Sequence, residues 1–164
     1  MQDEVDRLVA AWARERPDLD VRPLEVLSRV TRLARHLDRA RAAAFDAHDL
    51  EVWEFDVLAA LRRAGRPYVL SPGQLLAQTL VTSGTMTNRI DRLEVAGLVV
   101  RMPDPADRRG VRVRLTPRGK DRVDAALADL LAREQELLSA LSTAEGETLS
   151  GLLRRLVAPF EDDQ

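Results

Sequence analysis

The stretch from Ser71 to Leu115 constrains the fold more than any other part of the chain. Ser71-Pro72 is a side-chain cap followed by proline at the first helical position, and it opens a short helix that includes Leu75, Leu76 and Ala77. After a turn at Leu80-Val81-Thr82, Thr82 or Ser83 can cap a second helix that runs through Asn88 and Leu93 to Gly97. Leu98 to Met102 and Val111 to Leu115 then flank a loop from Pro103 to Gly110 that is rich in Pro, Asp and Arg. Apolar and basic residues alternate in the second of these segments, a period of two that predicts a β-hairpin. Two short helices joined by a tight turn and followed by a basic hairpin predict a winged helix-turn-helix, a fold whose commonest use is DNA binding.

The flanking regions read as helices. Val5, Leu8, Val9 and Trp12 share one face of a short N-terminal helix that ends at Arg16-Pro17-Asp18. A long amphipathic helix is predicted from near Pro23 to about Ala47, with Leu27, Val30, Leu33, Ala34 and Leu37 on one side. A third, from about Glu51 to Ala64, stops at Gly65 and should be mostly buried through Val52, Trp53, Phe55, Val57, Leu58 and Leu61. Thr116-Pro117 caps another long helix carrying Val123, Leu127, Leu130 and Leu131, and a last one runs from about Ala144 to Val157. The expected architecture is mainly α with a small β-hairpin wing, in one domain spanning 1–164. Residues 1–48 form the N-terminal helices, 51–116 the DNA-binding lobe and 117–164 the C-terminal helices. The long amphipathic helices at both ends expose more apolar surface than one lobe of this size can cover, which predicts a homodimer.

Charge and composition narrow the function. The net charge of −2 hides an uneven distribution: from Gly84 to Arg118 eight arginines face four acids, a net of +4 that leaves −6 for the rest. Lys120 is the only lysine, and arginine's planar fork suits phosphates and guanine edges. The absence of cysteine excludes disulfides, thiolate nucleophiles and cysteine zinc sites. The longest apolar run, Leu8 to Ala13, is far short of a bilayer span, and Met1 to Asp6 is too acidic to open a signal peptide, so a cytoplasmic location without membrane contact is expected. His36 and His48 stand twelve residues apart, not at the spacing of a helical zinc pair, and no nucleophile elbow, Walker loop or dinucleotide fingerprint occurs. Neither a metal, a cofactor nor an enzymatic activity is therefore expected.

On a helical wheel for the second helix of the pair, Met86, Ile90 and Leu93 cluster inward while Gly84, Asn88, Asp91, Arg92 and Val95 face away, with Arg89 on the boundary. Asn88 and Arg92 can reach a major groove, and Ser83, Thr85 and Thr87 flank that face with hydroxyls for phosphates or bases. Arg108 and Arg109 at the wing tip suit the adjacent minor groove. The competing reading is a winged-helix module used for protein assembly without sequence-specific DNA binding.

The run Ser71-Pro-Gly-Gln-Leu-Leu-Ala, the segment Gly84-Thr-Met-Thr-Asn-Arg-Ile-Asp-Arg-Leu-Glu and the pattern Arg101-Met-Pro-Asp-Pro-Ala-Asp-Arg-Arg-Gly through Val113-Arg-Leu-Thr-Pro-Arg-Gly resemble the MarR family of transcriptional regulators. The resemblance implies an obligate homodimer built from the N- and C-terminal helices, a pseudopalindromic double-stranded DNA operator, and repression released by a small ligand. The extra N-terminal helix, Ala11-Trp12-Ala13-Arg14-Glu15-Arg16, is similar to that of the urate-responsive subfamily. That likeness implies an anion pocket formed by Trp12, Asp56, Arg89 and Arg101, for urate or a related metabolite.

The physics of that pocket supplies its own expectation. Asp56 sits in an apolar helix, where an unpaired carboxylate is costly, so an arginine partner is expected, with Arg89 the natural choice. An anion held by Arg101 under the Trp12 ring would bring negative charge near Asp56, disturb the pair and shift the recognition helix. The competing reading makes Trp12 a core staple and Asp56 with Arg89 a structural salt bridge.

Overall fold

A computed structural model describes residues 2–79, 82–107 and 110–161. The seven helices and the hairpin follow the expected order, and one further short strand is added among the described residues: α1 (Glu4–Glu15), α2 (Pro23–Asp46), α3 (Val52–Arg63), β1 (Val69–Leu70), α4 (Pro72–Thr79), α5 (Ser83–Val95), β2 (Val99–Pro103), β3 (Val111–Leu115), α6 (Pro117–Leu138) and α7 (Thr143–Glu161). The helix boundaries follow local chemistry. Asp3 and Asp6 bond each other's backbone N–H groups at the start of α1, at 2.8 and 2.9 Å. Ser71 and Gln74 do the same ahead of α4, and Thr116 caps α6 through the N–H of Gly119 at 3.0 Å. Gly97, in the left-handed region at φ 71°, ends the α5 segment and turns the chain into β2.

The sheet differs from the expected hairpin by one strand. β1 joins the far edge of β3, giving the order β1-β3-β2, with Val69 opposite Arg114 and Leu70 opposite Val113. Two residues are too few for a periodic pattern, and Pro67 just upstream gives only a turn signal. The hairpin itself pairs Val99 with Leu115, Arg101 with Val113 and Pro103 with Val111. Val113 and Leu115 of β3 are buried on the inner face, while Val111 at the wing end of the same face is exposed.

The core is built around α3, where Phe55, Val57, Leu58, Ala59, Ala60 and Leu61 are all buried. Phe55 stacks on Phe45 of α2 with ring centroids 4.0 Å apart. Val52, expected inside, is 41% exposed because the first turn of α3 overhangs the core. Leu75 of α4, Met86, Ile90 and Leu93 of α5, Leu98 ahead of β2, and Val123 and Leu130 of α6 complete the cluster. α6 starts against the lobe so tightly that a Cβ on Gly119 would lie 2.1 Å from the Leu98 carbonyl oxygen. The same helix then continues to pack along α3 and α2.

α1 lies on α2. Val5 is buried, Arg29 reaches Asp3 (2.8 Å) and Asp6 (2.6 Å), and Arg32 reaches Glu4 (2.6 Å). The outer surface of the helical half is apolar. Val26, Leu27, Val30 and Leu33 of α2, Leu127 and Leu131 of α6, and Leu152, Leu153, Leu156, Val157 and Phe160 of α7 are exposed. Among its described residues α7 buries none.

Candidate nucleic-acid interface and ligand pocket

The expected reading helix, α5, is held from beneath. Met86, Ile90 and Leu93 are each at most 1% exposed and fix one face on the core. At about 100° per residue the crest opposite carries Gly84, Asn88 and Val95, all exposed, with Val95 90% accessible. Thr82 caps the helix, its hydroxyl accepting from the Thr85 N–H at 3.4 Å and lying 2.9 Å from the Thr85 hydroxyl. Thr87 donates back to the Ser83 carbonyl at 3.1 Å. Ser83, Thr85, Thr87 and Asn88 are all exposed in the first turns of α5.

Arg92 is on the exposed side, as expected, but its guanidinium has protein partners. It pairs with the carboxylate of Glu51, immediately ahead of α3, and lies over the Trp53 ring with 4.7 Å to the centroid. Arg108 and Arg109 fall outside the described residues. Below them the wing is latched: the Asp104 N–H donates to the Gly110 carbonyl and the Gly110 N–H to the Asp107 carbonyl, both at 2.9 Å. Arg112 pairs with the largely buried Asp104 carboxylate at 2.9 Å. The Ala106 backbone N–H and then Arg112 hold that carboxyl below its usual range.

The four residues expected to form the anion pocket have separate partners. Trp12 is half-exposed in an open groove of about 500 Å³ lined by Glu4, Arg7, Leu8, Ala11 and Glu15 of its own helix. Asp56 does have an arginine, but it is Arg41 of α2, at 3.2 Å, and not Arg89. Arg41 also covers the Phe45 ring at 5.4 Å. The reason for the exchange is position: Asp56 stands at the border of α3 with α2, 44% exposed, so the arginine one helix away reaches it without crossing the core. Arg89 instead lies over Trp53, 5.3 Å from the ring centroid.

Arg101 is the most engaged of the four. It donates to Asp91 at 2.6 Å and Glu94 at 2.7 Å, its backbone N–H donates to the second Glu94 oxygen at 2.8 Å, and the guanidinium approaches the Thr87 carbonyl at 3.4 Å. Burial works against the charge of Arg101, and the bonds to Glu94 and Asp91 outweigh it and raise its pKa. The same bonds, the backbone one first, hold Glu94 below the ordinary carboxylate range. The arrangement ties the middle of β2 to α5. Sequence reasoning missed Arg41 and Glu51 because each pairs with a residue on another element, 15 and 41 positions away, and it read Trp53 only as core. The one available signal was a pair of arginines, Arg89 and Arg92, three residues apart on one helix and needing a common partner.

A helix-turn-helix with an exposed reading face, backed by a latched hairpin, defines a winged-helix DNA-binding regulator. The sequence pattern of the MarR family matches residues 48–110. The HTH-type transcriptional regulator PecS of Dickeya dadantii is 40% identical over 153 residues, covering 93% of this chain and 92% of that protein. The chain belongs to the MarR family of transcriptional regulators. Among solved structures, a MarR mutant from E. coli complexed with operator DNA superposes with a TM-score of 0.66 at 30% identity, covering 84% of this chain and 95% of that one. BpsR of Bordetella bronchiseptica, described as regulated in its DNA binding by 6-hydroxynicotinic acid, superposes with a TM-score of 0.60 at 30% identity, covering 77% and 91%. These relatives are transcriptional regulators and not enzymes. No described helix is long and apolar enough to cross a membrane.

Proposed function

We propose that this chain is a cytoplasmic homodimeric repressor that binds a pseudopalindromic operator and releases it when a small anion, urate or a related metabolite, binds. The observation that carries the reading is α5 itself. Its crest is exposed and its inner face is buried, and it is followed by the β2–β3 hairpin. That geometry suits α5 in a major groove, with Ser83, Thr85, Thr87 and Asn88 toward bases and phosphates and the wing toward the minor groove. The likeness to a MarR–operator complex supports it. The apolar outer faces of α2, α6 and α7 support the dimer, because exposed apolar surface of this extent is poorly matched to water, and α7 buries none of its described residues.

Anion release follows from Arg101. A carboxylate or urate competing for its guanidinium draws it from Asp91 and Glu94 and unties α5 from β2, with Trp12 covering the ligand and Arg89 and Asp56 answering on α5 and α3. The likeness to a regulator whose DNA binding is regulated by 6-hydroxynicotinic acid supports a small aromatic anion. The test is a gel-shift titration with DNA from beside the protein's own gene, with and without urate and other small anions. Specific binding should weaken with salt at a log-log slope of about −0.9 per phosphate neutralised. Release by urate but not by uncharged purines is expected. A flat salt response without preference for that DNA would instead favour the assembly module, and unchanged urate affinity in Arg101→Ala would remove the proposed anchor.

A further inference from the structure

Glu51 and Trp53 stand outside every role assigned so far, yet two recognition-helix arginines converge on them. The backbone of Glu51 is still extended (φ −74°, ψ 157°), which frees its side chain to reach across to α5. One carboxylate oxygen accepts from the Trp53 indole N–H at 2.7 Å and the other from Arg92. The indole face in turn lies against the guanidinium groups of both Arg92 and Arg89, at 4.7 and 5.3 Å from the ring centroid. The hydrogen bond from the indole, and then that from Arg92, hold the Glu51 carboxyl below its ordinary range. Carboxylate, indole and Arg92 form a closed triangle in which each member holds the other two, with Arg89 added on the ring.

The flanks of α5 explain what the triangle does. At about 100° per residue, Arg89 and Arg92 lie on one flank of the helix, while Thr87, Asp91 and Glu94, the partners of Arg101, lie on the other. Met86, Ile90 and Leu93 hold the inner face of the helix on the core, and any roll about the helix axis is resisted further at the flanks. Arg101 and the Glu51–Trp53 seat oppose that roll from opposite sides. We propose that Glu51 and Trp53 are the positioning residues of the recognition helix, and that Arg92 is its anchor to α3 and not a DNA contact. The crest residues Gly84, Asn88 and Val95, with the hydroxyls of Ser83, Thr85 and Thr87 beside them, are then presented to the groove. This inference rests on the DNA-binding reading above.

The test is a double-mutant cycle on Glu51→Gln and Arg92→Gln, with Arg92→Lys alongside, read as operator affinity across a salt series. If Arg92 is an anchor, each single variant weakens binding roughly three- to tenfold, the range for a partly exposed charge-assisted network. The double variant is then no weaker than the worse single one, the salt slope is that of the wild type, and Arg92→Lys resembles Arg92→Gln because an ammonium cannot stack as a guanidinium does. The proposal is overturned if Arg92→Gln reduces the slope by about 0.9 while Arg92→Lys behaves as wild type, or if Glu51→Gln leaves affinity unchanged or tightens it. The seat is also read without DNA. Trp12 and Trp53 are the only tryptophans, so in a Trp12→Phe background the Trp53 emission should shift in both Glu51→Gln and Arg92→Gln. A wild type that binds no operator but shows this coupled shift would remove the regulator reading and leave the seat standing, whereas an unmoved emission would remove the seat.

Discussion

Gly119 shows how one hydrogen atom in place of a side chain can set a joint. With the Leu98 carbonyl oxygen 2.1 Å from where a Cβ would be, Gly119→Ala has to push α6 off the start of β2. A loss of about 3 kcal/mol in denaturant unfolding is expected, at the upper end for overpacking. Gly151→Ala is the control: its Cβ meets nothing within 4 Å and it lies inside α7, so it should gain about 0.5–1 kcal/mol. Equal effects at the two sites would show that the close approach is not real. At this scale the sequence was most readable where a residue acts on its own neighbours. Thr82, Ser71 and Thr116 cap the helices their positions imply. Asp56 was readable only in part, since its need for an arginine follows from an apolar helix, but the choice of Arg41 over Arg89 depends on how α2 crosses α3.

Among the elements, α1 is attached mainly by charge. Val5 is its one buried residue, and Arg29 and Arg32 hold its first turn through Asp3, Asp6 and Glu4. The bond from Arg29, then the Asp6 N–H, lowers the Asp3 carboxyl from 3.8 to about 2. A carboxyl depressed in the folded state stabilises docking fully above its unfolded value and loses that contribution as pH falls through the folded one. Detachment of α1 is therefore expected between about pH 4 and pH 2, and earlier in high salt, because the pairs are exposed. Amide exchange of 5–15 across that range would show it, and protection that persists at pH 2 in 1 M salt would mean that the apolar face alone holds the helix. Elements with long periodic patterns, α2, α3, α5 and α6, were legible within a residue or two at most boundaries. β1 was not, because a two-residue strand is defined by the β3 edge it joins and not by its own composition.

For the whole molecule, the exposed leucines of α2, α6 and α7 are the largest mismatch between a lone chain and water. Leu156→Asp, on a helix with no buried residue among those described, should convert the proposed dimer to monomer in sedimentation analysis and abolish tight operator binding. A dimer that persists would place the interface elsewhere. The sequence made this mismatch visible through amphipathic helices too long for one lobe, while the way the faces combine depends on packing that no local pattern encodes. The single span of α6 joins that outer face to the DNA-reading lobe. Its 22 residues run without a break from the Gly119 joint to the apolar surface, so it is a lever of roughly 33 Å. A tilt of only about 6° at one end sweeps the other by about 3.4 Å, the rise of one base pair. In the proposed dimer, a very slight loosening at the joined helices would thus put the two reading heads a full base step out of phase with their half-sites.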